Sequence, residues 1–207
     1  MASPSSPIGR PSKRSRQDAN DQSSLSDPSK PPVVVFAHGA GAPSSSDWMI
    51  TWKEKLGSAL DAVEVVTFDY PYIASGKKRA PPKAEKLVEF HKGIVKDAVS
   101  KHPGHPLILA GKSMGSRVSC MVASEADISA SAIICLGYPL KGMNGVVRDE
   151  TLLQLKVPVM FVQDEAENLA VKAISSFVTR CLTAEYSYYR SATECIFRNV
   201  ILSMLTC

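Results

Sequence analysis

No histidine follows position 105 in this 207-residue chain; the four present are His38, His91, His102 and His105. Long hydrophobic runs are also missing. The apolar stretches are strand-sized, which excludes a transmembrane helix, and no apolar segment follows Met1, so no secretory signal is expected. The five cysteines are an odd number with no Cys-x-x-Cys spacing. That argues against a zinc site or a disulfide framework and for a reducing, cytoplasmic compartment. Cys120 and Cys135 lie in apolar segments and read as buried small hydrophobes. No basic stripe interleaved with aromatics is present, so a nucleic-acid partner is not expected.

Residues 1–32 have little to bury. They are rich in Ser, Pro and charge, with Ile8 and Leu25 the only large aliphatics. Such a segment cannot offset its ordering entropy and reads as a disordered basic tail. Arg10, Lys13, Arg14, Arg16 and Lys30 against Asp18, Asp21 and Asp27 place half of the net +4 charge there. Lys13-Arg14-Ser15-Arg16 is a candidate nuclear-import cluster, although a solvated tail explains it as well. About 175 residues remain, enough for one α/β core.

From Pro31 onward, short β-branched runs alternate with helical patterns. Strands are expected at Val33–Ala37, Val63–Tyr70, Pro106–Ala110, Ala132–Leu136 and Val157–Val162. Asp47 to Leu60 reads as a helix with Asp47 as its N-cap, because Trp48, Trp52, Leu56 and Leu60 recur at helical spacing. A long helix is expected from Lys83 to Lys101, with Leu87, Phe90, Ile94, Val95 and Ala98 as its apolar stripe and His91 at the surface. Gly115–Ser124 reads as a short helix, and Asp149-Glu150 as the cap of another. This alternation implies right-handed crossovers and a doubly wound, mainly parallel sheet. After Gln163 the pattern degrades. Residues 33–163 form the expected core, and 164–207 an atypical C-terminal segment, helical or poorly ordered, that leaves the last strand and helix incomplete.

Directly after the third strand comes Gly111-Lys112-Ser113-Met114-Gly115. A serine on a tight strand-to-helix turn needs small residues two before and two after, where larger ones collide with strand and helix. Gly111 and Gly115 meet that demand, and the following helix directs free N–H groups and its positive end at the site. After the first strand comes a second glycine-rich turn, His38-Gly39-Ala40-Gly41-Ala42. The two pieces together describe a nucleophile elbow and an oxyanion loop, with Ser113 as nucleophile and the Met114 and Ala40 N–H groups as donors. They point to an α/β-hydrolase fold. Gly39, Gly41, Tyr72 and Tyr138 are candidate substrate contacts. Gly111-Lys112-Ser113 also hints at a phosphate-binding loop, but that motif needs glycine at position 106, where Pro106 has no N–H to offer. No cofactor and no metal are expected.

A serine nucleophile needs a base, and in this fold the acid and then the histidine follow the serine along the chain. Asp164, Glu165 and Glu167 are the candidate acids, beside the plainer reading of a solvated turn. His105 lies five strand residues away, roughly 17 Å. His38 stands at the correct edge of the sheet. Its expected role is to shape the loop, and it is also the candidate substitute base.

The motifs Val33–Ala42, Phe68-Asp69-Tyr70-Pro71-Tyr72, Gly111–Gly115, Cys135-Leu136-Gly137-Tyr138-Pro139-Leu140 and Pro158–Gln163 occur in this order. Together they resemble the dienelactone-hydrolase-related family of testis-expressed protein 30 and subunit 3 of the NSL chromatin complex, in particular its small stand-alone plant members. The resemblance covers residues 32–163. It implies a serine-hydrolase fold with Ser113 as nucleophile, a Gly-x-x-Asp turn after the Phe-Val-Gln strand, and a late Gly-x-His. Here Asp164-Glu165-Ala166-Glu167 replaces the first, which puts Glu167 at the acid position by count, and the second does not occur. The expectation is an acyl-bond hydrolase acting on a small-molecule substrate, with impaired turnover and a C-terminus altered as in a truncated isoform. The alternatives are a non-catalytic module that binds a protein partner, as the chromatin-complex relative suggests, and an unstable by-product without function. Lys77, Lys78 and Arg79 would favour an anionic substrate or simply form a solvated loop.

Overall fold

A computed structural model describes residues 26–76, 81–142, 145–162 and 167–183. Five strands form one all-parallel sheet: β1 (Val33–Ala37), β2 (Glu64–Phe68), β3 (Leu107–Lys112), β4 (Ala132–Leu136) and β5 (Val159–Val162), in spatial order β2-β1-β3-β4-β5. The register sets Ala37 beside Gly111 and Gly111 beside Cys135. β1 and β4 are buried at every residue, as their unbroken Val/Ile runs require when both faces of a parallel sheet are covered.

Alternate residues divide the core into two layers. Val33, Val35, Leu107, Leu109, Ile133 and Cys135 face α3 (Val88–Lys101), α4 (Met114–Ala123) and α5 (Glu150–Gln154). Val34, Phe36, Ile108, Ala110, Ile134 and Leu136 face α1 (Asp47–Leu60) and α6 (Glu167–Leu182). A short helix, α2 (Pro71–Ala74), follows β2. The chain leaves β1 in one direction and β3 in the other, so the C-terminal ends of β1 and β3 flank the switch point where open α/β sheets bind ligands. Among the described residues no helix is long and apolar enough to cross a membrane.

Several expectations shift. Ser46, in extended conformation, is the N-cap of α1, and no side-chain bond caps it; Asp47 is the first helical residue, where its charge favours the helix dipole. The long helix divides into a 3₁₀ turn, Ala84–Leu87, and α3. His91 is fully buried rather than at the surface, while Phe90 is 38% exposed. His91 stands four residues before Val95 and seven before Ala98, on the buried stripe itself. Its Nδ1 pairs with the Tyr70 hydroxyl at 3.1 Å.

The packed core also exceeds the boundaries read from sequence. Ile174 and Val178 of α6 are buried against the α1 layer. At the other end, the Asp27 N–H donates to the Gly104 carbonyl at 2.9 Å. Residues 1–25, Lys77, Lys78, Arg79, Asp164, Glu165, residues 184–207 and the side chain of Glu167 lie outside the described part.

Candidate active site

Ser113 sits between β3 and α4 with φ 51° and ψ −110°. Only Asp61 is the other non-glycine residue with positive φ among the described residues. For a serine this is a sparsely populated conformation, held by its surroundings. The Ser113 N–H donates to the Leu136 carbonyl at 2.9 Å. The glycines leave room for the turn: a Cβ on Gly115 would lie 2.5 Å from the Ala37 carbonyl oxygen and 2.6 Å from that of His38, and one on Gly111 would overlap the Gly115–Ser116 peptide. Only hydrogen fits at either place.

Two serines that sequence reasoning missed fasten the elbow from behind. Ser116 Oγ donates to the Gly111 carbonyl at 2.6 Å, and Ser119 Oγ to that of Ala110 at 3.2 Å. Both are fully buried. Their spacing on one face of α4 toward β3 was the available signal. Cys120 and Cys135 lie beside them, free and fully buried, with sulfurs 3.6 Å apart. Burial pushes the Cys135 thiol well up, away from the thiolate.

The loop after β1 packs directly on this turn. A Cβ on Gly39 would lie 3.7 Å from Ser113 Cβ and 3.4 Å from the Lys112 carbonyl oxygen. His38 is fully buried. Its Nε2 accepts the Tyr70 N–H at 3.0 Å, so the ring proton resides on Nδ1, which donates to the Gly39 carbonyl at 2.5 Å. Burial lowers the pKa of His38; the Gly39 bond and the Asp69 carboxylate, 3.9 Å from Nε2, oppose this. Both ring nitrogens are thus committed to backbone, Nδ1 to the Gly39 carbonyl and Nε2 to the Tyr70 N–H. Gly39 C=O and Ala40 N–H belong to one planar peptide and point opposite ways. Tying that carbonyl to the imidazole turns the Ala40 N–H away from it.

Further bonds hold the loop. The Tyr72 hydroxyl donates to the Ala40 carbonyl at 3.1 Å, and the Ser44 N–H donates to Asp69 Oδ1 at 2.6 Å. Burial, and then the nearby Asp69 charge, push the Tyr72 hydroxyl up to about 12, so it donates at neutral pH. Asp69 and Tyr70 escaped the sequence reading as loop supports because their partners lie 25 and 32 residues away. Tyr138 is buried, stacks edge-on against Phe161, and donates its hydroxyl to the Arg148 carbonyl at 3.0 Å. The hydroxyl therefore supports the following loop. Gly41 is exposed, with open space where a Cβ would stand.

The remaining histidines lie at the other end of the sheet. His102 pairs with Glu64, the first residue of β2, at 2.7 Å, and His105 donates to the Pro31 carbonyl, just before β1. Asp164 and Glu165 are outside the described residues; Glu167 opens α6. Among the described residues no group of three or more His, Cys, Asp or Glu side chains gathers as a metal site would require.

A family model described as an alpha/beta hydrolase domain matches residues 30–184. Among solved structures, a dienelactone hydrolase from Anabaena variabilis is 16% identical, with a TM-score of 0.53, and the match covers 74% of this chain and 87% of that one. An esterase of Pyrococcus furiosus is 13% identical with a TM-score of 0.49, over 84% of each chain. A Trichoderma reesei cutinase is 18% identical with a TM-score of 0.44, over 77% of this chain and 80% of that one. The first of these likenesses supports the fold.

Proposed function

The chain belongs to the alpha/beta hydrolase domain family, and on that footing we propose that it is a serine hydrolase of esters, thioesters or related acyl bonds. The observation that carries this reading is the backbone of Ser113, at φ 51° between two glycines that admit no Cβ. Strain of this kind is kept where a side chain must be presented. In the reaction, Ser113 Oγ bonds to the acyl carbon and gives its proton to water. The carbonyl electron pair moves onto oxygen, where the N–H groups of Met114 and Ala40 donate to it. The oxyanion collapses, the alcohol or thiol leaves with a proton from water, and a second water hydrolyses the acyl-serine. With His38 committed to backbone and no histidine beyond position 105, turnover rests on binding and the oxyanion site and is slow.

The ordered motifs favour the branch of the family that contains testis-expressed protein 30 and NSL complex subunit 3. The cysteine usage supports a cytoplasmic location, and Lys13–Arg16 is the candidate import cluster for a nuclear one, beside its plainer reading as a solvated tail. The commitment of His38 also favours a second reading, a non-catalytic module that binds a protein partner through the same face. Labelling with a fluorophosphonate probe separates the two. Adduct formation that vanishes in Ser113→Ala and after heat denaturation supports the hydrolase. A folded, soluble protein that takes no label overturns it in favour of the module.

A further inference from the structure

Lys112 ends β3 and immediately precedes Ser113. Its ammonium lies 3.7 Å from the centroid of the Trp48 ring. The ring is itself fixed, 5.5 Å from Trp52 and 6.2 Å from Phe36 by centroids. The stem of Lys112 lines the site: a Cβ on Gly39 would be 3.7 Å from Lys112 Cγ and equally far from Ser113 Cβ. The oxyanion loop, the nucleophile and this lysine therefore meet at one point.

Lys92 and Lys96 pair with Glu89, Glu125 and Asp127. No described carboxylate comes within ion-pair distance of Lys112. Burial lowers its pKa, and among the described residues no anion opposes this. The aromatic face attracts the cation, yet an ammonium carries three donors. A half-buried cation with an aromatic partner and, among the described residues, no carboxylate at ion-pair distance, one residue from a nucleophile, suits an anion brought by the substrate.

We propose that Lys112, held on Trp48, is the specificity-determining residue of this site and selects acyl groups that end in a carboxylate. The class is the half-ester or half-thioester of a short dicarboxylic acid. One peptide and one lysine side chain separate the ammonium from Ser113, so roughly two to four methylenes between the reacting carbonyl and the carboxylate span the gap. The inference rests on the serine-hydrolase reading above.

The test uses two fluorophosphonates that differ only in the end of a short alkyl arm, carboxylate in one and primary amide in the other. Labelling rates are read by intact mass for the full chain, Lys112→Gln and Lys112→Arg. The expected result is a rate ratio of about tenfold for the carboxylate arm, the scale of one charge-assisted contact. The ratio falls toward one in Lys112→Gln and is retained in Lys112→Arg. A wild-type ratio near one overturns the proposal whether or not the variants fold, and so does a preference that survives in Lys112→Gln. If neither probe labels a folded protein, the hydrolase reading falls and tryptophan emission under glutarate titration decides the anion site. A saturable change that is absent in Lys112→Gln upholds it, and no change in the wild type overturns it.

Discussion

Lowering the pH from 7.5 to 5.0 should destabilise this fold through His91. Complete burial pushes its imidazole down to about 3 from 6.5, with the charge of His38 a lesser cause. Its partners are apolar or neutral: Phe68 at 4.9 Å between ring centroids and the Tyr70 hydroxyl at 3.1 Å. The folded state thus binds this proton less readily than the unfolded state. The contribution is complete above pH 6.5 and is lost as pH falls from 6.5 toward 3. At pH 5.0 the unfolded chain lies 1.5 pH units below its own pKa while folded His91 is still neutral, a loss of about 2 kcal/mol. For a domain of this size that corresponds to a fall of about 4–8 °C in Tm. His38, also lowered by burial, adds in the same direction. Urea unfolding followed by circular dichroism at pH 7.5, 6.5, 5.5 and 5.0 measures the slope. His91→Gln keeps a polar group near Tyr70 and cannot titrate in this range, so it should lose most of the pH dependence even if it is less stable throughout. A His91→Gln protein with the full wild-type slope would refute the reasoning.

Gly115→Ala forces a methyl group against the Ala37 and His38 carbonyls; it should cost about 1–3 kcal/mol and abolish probe labelling, and an unchanged melt would contradict the close packing. Ser116→Ala leaves the buried Gly111 carbonyl without its 2.6 Å donor; urea unfolding should register a loss of about 1–3 kcal/mol. His38→Phe removes both bonds that orient the 39–40 peptide. It should lower the labelling rate of Ser113 without shifting its pH profile, since the imidazole positions the loop; a lost acidic limb in that profile would instead identify a base.

The tight turn at Ser113 was legible because its rule is steric and local. Gly111 and Gly115 are demanded by neighbours within the same turn or the adjacent strand, and no other residue type satisfies the space. His91 was not legible, because a histidine between Phe90 and Lys92 in a charged helix reads as surface. Only the fold reveals Tyr70, 21 residues away, as the partner that makes its burial tolerable. The setting of His38 was half legible: its place beside the Ser113 turn follows from strand order, but the engagement of both nitrogens depends on the Gly39 carbonyl and the Tyr70 amide. The segment after Gln163 reads as helical or poorly ordered, and α6 is helical; what its sequence did not show is that Ile174 and Val178 close one layer of the core against α1.

α4 and α5, which carry the chain outward from β3 to β4 to β5, lie on one face of the sheet, whereas α6 packs on the other, beside α1. A further parallel strand laid outside β5 through α6 would need a left-handed connection, the hand of only about 2% of such crossovers. β5 pairs with β4 alone among the described residues, and Val159 to Val162 are each half-buried. Among the described residues no strand pairs with its outward amides and carbonyls, and such an edge is a template on which another extended chain can register. An edge of that kind, where it stays open, favours pairing between chains as their concentration rises.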